Sequence, residues 1–210
     1  MSNLINLMYR KRVFLLLVFA NLFLQLSISY YVMVHTNKTS ISHWYLFGIQ
    51  MLIIFLIGMF PMPAFMKFIL FTIFSYTFGL SLTRYKEIID ERVIEIAIKG
   101  TLSLFALMMG SGIALMIGGI NLGPRFGAFL FWSLLLLIVL RIIFIFGNAL
   151  SMTQKGLSGA AIILFSMFIV YDTQQILSRN YAGDFISASM DYYLDIINLF
   201  INLLGYGHDN

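Results

Sequence analysis

Long apolar stretches, separated by short polar or Gly/Pro-containing breaks, dominate the chain. Each stretch is close to the roughly 20 residues that an α-helix needs to cross a hydrocarbon core about 30 Å thick. The predicted helices are 13–34, 44–60, 64–83, 93–120, 126–148, 157–177 and 185–204. Pro61, Pro63 and Pro124 stand in the breaks, because proline cannot continue a helix interior. The pattern therefore predicts an all-α membrane protein with seven transmembrane helices.

Composition supports a membrane setting. Sixty per cent of the 210 residues are hydrophobic and 10% are charged, whereas about a quarter of the residues of a soluble domain are charged. The basic start resembles a signal peptide, but the apolar stretch 13–34 is too long for one and predicts a first span. We expect residues 1–210 to form a single integral membrane domain in contact with the lipid bilayer.

Charge and cysteine content exclude several functions. The 13 Lys and Arg residues are scattered, and only Arg10, Lys11 and Arg12 cluster, so we expect no nucleic-acid partner. That cluster favours a cytoplasmic N-terminus. The absence of cysteine excludes disulfides, thiolate metal sites and a cysteine nucleophile. No cofactor is predicted.

Small residues indicate where helices approach each other closely, since lipid supplies no hydrophobic drive for helix association. The predicted interface glycines are Gly110, Gly112, Gly118, Gly119, Gly156 and Gly159.

Three carboxylates lie inside predicted spans: Asp172, Asp191 and Asp195. An ionised carboxylate there costs several kcal/mol unless it is paired, hydrated or protonated. Asp172 and Asp195 each lie about 11 residues from the centre of the last turn at Gly183 and Asp184, or about 17 Å, near the bilayer centre. This spacing predicts that they face each other, and we call them the aspartate pair.

Two carboxylates that close cannot both stay ionised, so the aspartate pair is expected to share a proton. The alternative is a purely structural role, in which the pair only joins the last two helices by hydrogen bonds. Asp191 lies one turn from Asp195 on the same helix face. It is either a ligand in an ion vestibule or an interfacial residue.

Arg141 lies inside the fifth predicted helix. Arginine in a span usually faces the bundle interior or water, so one prediction makes Arg141 the counter-ion of the aspartate pair. The alternative is that its long side chain reaches the interface along its own helix and needs no acidic partner.

Two segments, IVYDTQQIL at 169–177 and YYLDIINLFINLL at 192–204, resemble the Bax inhibitor-1 family, also called the transmembrane Bax inhibitor motif family. Both aspartates of the pair match the motifs of that family. The segment FTIFSYTFGLSL at 71–82 and Asn148 are weaker similarities. Gln50, in place of an acidic residue, and Arg141, in place of an apolar one, depart from the pattern of the family.

The resemblance implies a seven-helix fold whose C-terminal helix is central and wrapped by the other six. It implies that Asp172 and Asp195 form a di-aspartyl pH sensor. Independently of the resemblance, calcium prefers carboxylate oxygens, which the pair offers fully only when it is deprotonated, so we expect the pair to act as a gate and as calcium ligands. Bacterial relatives are pH-sensitive calcium leak channels, and eukaryotic and viral relatives lower store calcium and suppress cell death. The implied function is ion transport in calcium homeostasis, with calcium as the permeant ion. Apart from the resemblance, the short loops, the absence of cysteine and the balanced Lys and Arg count suit a bacterial inner membrane, or an intracellular membrane for a eukaryotic or viral protein.

Three rival functions compete with this one. An intramembrane aspartyl protease needs Gly-x-Gly-Asp, which precedes neither aspartate, and no HExxH metalloprotease motif is present, so no enzyme is expected. The serious competitor is a non-transporting regulator of cell death or of a membrane protease, acting through membrane-protein partners. In that case the aspartate pair is structural.

Overall fold

A computed structural model describes residues 2–37, 41–146, 151–178, 181 and 183–208. All regular structure in these residues is helical, which confirms the all-α class. The helices are α1 (Ser2–Arg10), α2 (Arg12–His35), α3 (His43–Met59), α4 (Ala64–Ile88), α5 (Glu91–Ile117), α6 (Pro124–Phe146), α7 (Ser151–Ser178) and α8 (Phe185–His208).

The seven predicted helices correspond to α2 to α8. The largest differences are at α7, which begins at Ser151 rather than residue 157, and at α4, which continues to Ile88 rather than residue 83. Both extensions are polar, since hydropathy marks the part of a helix that suits lipid and not the end of its hydrogen bonding. Asn148, the predicted end of the fifth helix, lies outside the described residues.

Helix α1 was not predicted. It has nine residues, about 13 Å at 1.5 Å per residue, which is too short to cross a bilayer. A search for long apolar stretches therefore misses it.

Five helices in the described part of the chain are long and apolar enough to cross a membrane: α2, α4, α5, α6 and α7. Helix α3 is also apolar but has 17 residues. These lengths confirm a helical protein with several candidate spans. They do not confirm the count of seven or the central place of the C-terminal helix.

The chain divides into two compact units. The first contains Met1–Tyr9, Glu91–Asn180 and Leu194–Asn210, and the second contains Arg10–Asp90 and Tyr181–Tyr193. Helix α8 thus contributes its first nine residues to the second unit and the rest to the first. The single membrane domain expected for residues 1–210 stays a prediction.

In the second unit, α4 packs closely against α2 at Gly79. A Cβ atom built on Gly79 would lie 2.6 Å from the carbonyl oxygen of Ser29 and 2.8 Å from the Cβ atom of Val32. Only glycine allows the two helices to come this close. The neighbouring atoms are a backbone oxygen and a Cβ atom, and neither can rotate away from an added methyl group.

Buried polar side chains on one face of α2 reinforce the second unit. Asn21, Gln25 and Ser29 are spaced by four residues and are at most 5% exposed. Asn21 donates a hydrogen bond to the Ser189 hydroxyl at 2.6 Å, and the Ser29 and Tyr193 hydroxyls are 2.5 Å apart. These contacts join α2 to the first part of α8, and they satisfy groups that would be costly to bury alone.

In the first unit, α7 packs against α5 and α6. A Cβ atom built on Gly112 of α5 would lie 2.9 Å from the carbonyl oxygen of Val170 and 3.0 Å from the Cβ atom of Thr173. The prediction of a close helix approach is thus confirmed at Gly112. It is wrong at Gly110, Gly119, Gly156 and Gly159, where no neighbouring atom of the described residues lies within 4 Å of the Cβ position, and at Gly118, whose Cβ would meet only the backbone of its own segment.

Candidate functional site

Both members of the aspartate pair lie in the first unit, Asp172 on α7 and Asp195 on α8. Asp195 is 4% exposed, and its neighbours Ile196 and Ile197 are also buried. Asp172 is half-buried. A carboxylate as buried as Asp195, on a largely apolar helix, needs a polar environment to remain charged. Direct contact between the two carboxylates stays a prediction.

Asp172 and Asp195 lie at different distances from the nearest end of their own helices. Asp172 lies six residues before Ser178, the last residue of α7, and Asp195 lies ten residues after Phe185, the first residue of α8. At 1.5 Å per residue these positions are about 9 and 15 Å from those ends. Counting from Gly183 predicts equal depths for the two carboxylates, and this stays a prediction.

The residues beside Asp172 fix the rotation of α7 within the first unit. Tyr171 lies against Gly127 of α6, where an added Cβ atom would overlap the Tyr171 hydroxyl. Gln174 accepts a hydrogen bond from the Leu122 backbone N–H at 2.7 Å and donates one to the Ile120 carbonyl at 3.2 Å. The segment between α5 and α6 is therefore hydrogen-bonded to α7 two residues after Asp172.

Asp191 lies in the second unit and has a partner there. The Tyr181 hydroxyl donates a hydrogen bond to its Oδ2 atom at 2.9 Å. The same Tyr181 ring stacks on Phe14 of α2, with centroids 6.5 Å apart. Asp191 therefore anchors the segment before α8. Within the described residues no group of three His, Cys, Asp or Glu could hold a metal ion, and the vestibule role of Asp191 stays a prediction.

Asp184 immediately precedes α8 and forms a cluster that the sequence analysis missed, because it used this residue only to mark the centre of the last turn. It accepts hydrogen bonds from the Ser187 backbone N–H at 3.0 Å and from the Ser187 hydroxyl at 2.7 Å, the usual geometry of an N-cap. Lys67 of α4 forms an ion pair with the same carboxylate and donates to the Ser187 hydroxyl at 3.1 Å. Asp immediately before an apolar helix is a common N-cap signal in a sequence, and it could have predicted this role.

The pKa of Asp184 lies below its ordinary value of 3.8. Partial burial by itself raises the pKa, but the hydrogen bonds from Lys67 and Ser187 lower it by more. The carboxylate is therefore ionised at neutral pH and holds α4 to the start of α8 within the second unit.

Arg141 contacts α8 in the first unit. Its guanidinium donates a hydrogen bond to the Oδ1 atom of Asn202, a residue that is 4% exposed. Asn202 in turn donates to the Asn198 carbonyl at 2.7 Å. It lies seven residues after Asp195, so it is on the same helix face and about 10 Å farther along the axis. This contact directs Arg141 toward α8, and the role of counter-ion to the aspartate pair stays a prediction.

The apolar helices long enough to cross a bilayer define a multi-pass integral membrane protein. Comparison with known protein families shows to which family the chain is related. The family model described as "Inhibitor of apoptosis-promoting Bax1" matches residues 7–206. The chain belongs to the Bax inhibitor-1 family, which confirms the resemblance found in the two aspartate segments.

Individual relatives are similar over different lengths. The chain is 30% identical to Bax inhibitor 1 of Schizosaccharomyces pombe over 164 residues, covering 77% of this chain and 60% of that protein. It is 37% identical to Protein LIFEGUARD 1 of Arabidopsis thaliana over 79 residues, covering 38% of this chain and 34% of that protein. A protein of Campylobacter jejuni is 28% identical over 172 residues, covering 80% of this chain and 72% of its own length. The chain thus spans less than two thirds of the first two relatives.

Proposed function

We propose that this protein is a pH-sensitive calcium leak channel in which the aspartate pair is the pH sensor and gate. The observation that carries the proposal is the burial of Asp195, 4% exposed on α8, in the same compact unit as Asp172 on α7. Carboxylates at such positions are costly to stability and usually serve transport or proton relay. Seven spans around a central C-terminal helix, as the family implies, are part of the proposal.

The chemistry of the pair suits competition between protons and calcium. Calcium binds carboxylate and carbonyl oxygens, and a carboxylate offers its full set of oxygen ligands only when it is deprotonated. A proton shared by Asp172 and Asp195 therefore blocks the oxygens that a passing calcium ion needs. Calcium in this mechanism is the transported ion and not a resident cofactor, and no enzymatic activity is proposed.

Gating follows from the charge of the pair. At low pH the shared proton links α7 to α8. At higher pH two negative charges repel each other, admit water and a cation, and favour an open state. The contacts of α7 at Gly112 and Gly127 support a gate in which α7 stays in place and the Asp195 segment of α8 moves.

A flux assay tests this function. Purified protein in proteoliposomes is expected to release calcium faster as pH rises between about 6 and 8, the range in which a coupled buried pair can titrate. Asp195→Asn keeps the shape of the side chain but cannot ionise, so its flux should not depend on pH. Asp90→Asn removes an exposed acid between α4 and α5 and should behave like wild type. An unchanged pH response in Asp195→Asn would remove the aspartate pair from the mechanism.

The second candidate is a non-transporting membrane regulator of cell death or of a membrane protease. The description of the matching family as an inhibitor of apoptosis-promoting Bax1 favours it. Its partners would be membrane proteins, and the aspartate pair would only join α7 to α8. Reconstituted protein that releases no calcium at any pH, yet binds a membrane-protein partner, would support this candidate over the channel.

A further inference from the structure

A cavity of about 220 Å³ lies in the first unit where α6 ends and α7 begins. Arg141 and Phe144 line it from α6, and Gln154, Leu157 and Ser158 line it from α7. Arg141 is five residues from the end of α6 and Gln154 is three residues from the start of α7. The cavity is therefore within about 8 Å of both helix ends, measured along the axes.

The described residues that line this cavity include a cation and no acid. Among its described lining residues, Arg141 carries a full positive charge and none is acidic. Gln154 and Ser158 add neutral groups that can donate hydrogen bonds. The start of a helix carries a partial positive charge as well. These features together favour an anionic ligand.

Phosphate is the anion that these groups fit best. The guanidinium matches the planar arrangement of two phosphate oxygens, and phosphates bind readily near helix N-termini. A volume of 220 Å³ corresponds to about seven water molecules at about 30 Å³ each, enough for a phosphate group with part of its ester. Phe144 and Leu157 provide apolar walls for the carbon atoms of such an ester. Helix ends of membrane spans also lie at the level of lipid headgroups.

We propose that this cavity binds a phosphate-bearing ligand through Arg141, with Gln154 and Ser158 as hydrogen-bonding partners. The phosphate belongs either to a phospholipid headgroup at the interface or to a free phosphate compound. Neither member of the aspartate pair is among the described residues that line this cavity, and its occupancy is measured without reference to calcium conduction.

Ligand-dependent thermal unfolding of the full chain in neutral detergent tests the proposal, since a ligand that binds the folded state raises the melting temperature with its concentration. One arm uses dihexanoyl phosphatidic acid, and the other uses inorganic phosphate. Stabilisation by the lipid alone assigns the phosphate to a headgroup, and stabilisation by both shows that phosphate chemistry suffices. Stabilisation by neither, up to millimolar concentrations, overturns the proposal.

Variants with equal charge changes locate the site. Arg141→Gln should require at least about tenfold more ligand for the same shift, the effect of losing one charge-assisted contact. Arg125→Gln removes the same charge from the exposed start of α6 and should match wild type. An equal loss in both variants would mean non-specific attraction and would overturn the proposal.

A second variant covers the case in which Arg141→Gln fails to fold because its contact with Asn202 is lost. Gln154 is exposed at the cavity, so Gln154→Leu should fold normally and weaken ligand binding several-fold. Binding by Gln154→Leu at wild-type affinity, with Arg141→Gln unfolded, would count against the site.

Discussion

Replacement of Gly79 by alanine tests whether α2 and α4 pack as closely as the structure of the second unit requires. The added Cβ atom would lie 2.6 Å from the Ser29 carbonyl oxygen, whereas ordinary contacts begin at about 3.4 Å. The helices must therefore separate locally by about 0.8 Å. Neither the Ser29 carbonyl nor the Cβ atom of Val32, at 2.8 Å, can rotate out of the way.

The magnitude follows from three contributions. Overpacking of this kind costs about 1 to 3 kcal/mol. Separation of the helices also weakens the hydrogen bond from Ser29 to the Ser75 carbonyl, 2.8 Å long, which contributes about 1 kcal/mol. Alanine regains at most about 1 kcal/mol through its higher helix propensity. We expect Gly79→Ala to lower the free energy of unfolding by about 2 kcal/mol.

The measurement is denaturant unfolding in mixed detergent micelles, with Gly48→Ala as the matched control. Gly48 is a helical glycine of α3 in the same unit, and no neighbouring atom lies within 4 Å of its Cβ position. The control should be as stable as wild type or slightly more stable. If Gly79→Ala were as stable as Gly48→Ala, the close approach of α2 and α4 would be refuted.

Three further predictions concern the cap of α8, the packing of α7 and the gate. Asp184→Asn keeps an N-capping side chain but loses the ion pair with Lys67. Because the folded pKa of Asp184 is lowered, its contribution is present above its ordinary pKa of 3.8 and is lost as pH falls below it. Unfolding measured from pH 7 to 3 should therefore show a small deficit at neutral pH, under about 1 kcal/mol for a partly exposed pair, that shrinks as the pH falls below 3.8; a deficit independent of pH would contradict this. Gly112→Ala should displace the backbone of α7 and lower thermal stability, whereas Gly110→Ala, with open space at its Cβ position, should not; equal melting temperatures would count against it. Arg141→Leu should shift the curve of calcium flux against pH toward higher pH, since a nearby positive charge favours the ionised aspartate pair; an unmoved curve would separate Arg141 from the pair.

The helices themselves were predictable because a bilayer imposes a simple rule. Backbone groups in lipid must bond within the segment, so a long apolar run has few alternatives to a helix. This rule fixes the apolar middle of each helix and is silent about polar extensions such as the start of α7 at Ser151. It also misses α1, which is too short to span. The burial of Asp195 was predictable for the same reason, because Asp195 lies inside a long apolar run that forms a helix in lipid.

The sequence alone thus determined the all-α class, the position of the apolar helices, the family and the two aspartates of the proposed gate. Tertiary structure decided which residues meet. Lys67 pairs with Asp184 across 117 positions, and Arg141 reaches Asn202 across 61. Local pattern cannot specify such partners, because the rotation and axial position of each helix depend on how all the neighbouring side chains pack. Glycine illustrates the same limit: Gly79 and Gly110 are both glycines within apolar helices, but only Gly79 has another helix against its Cβ position.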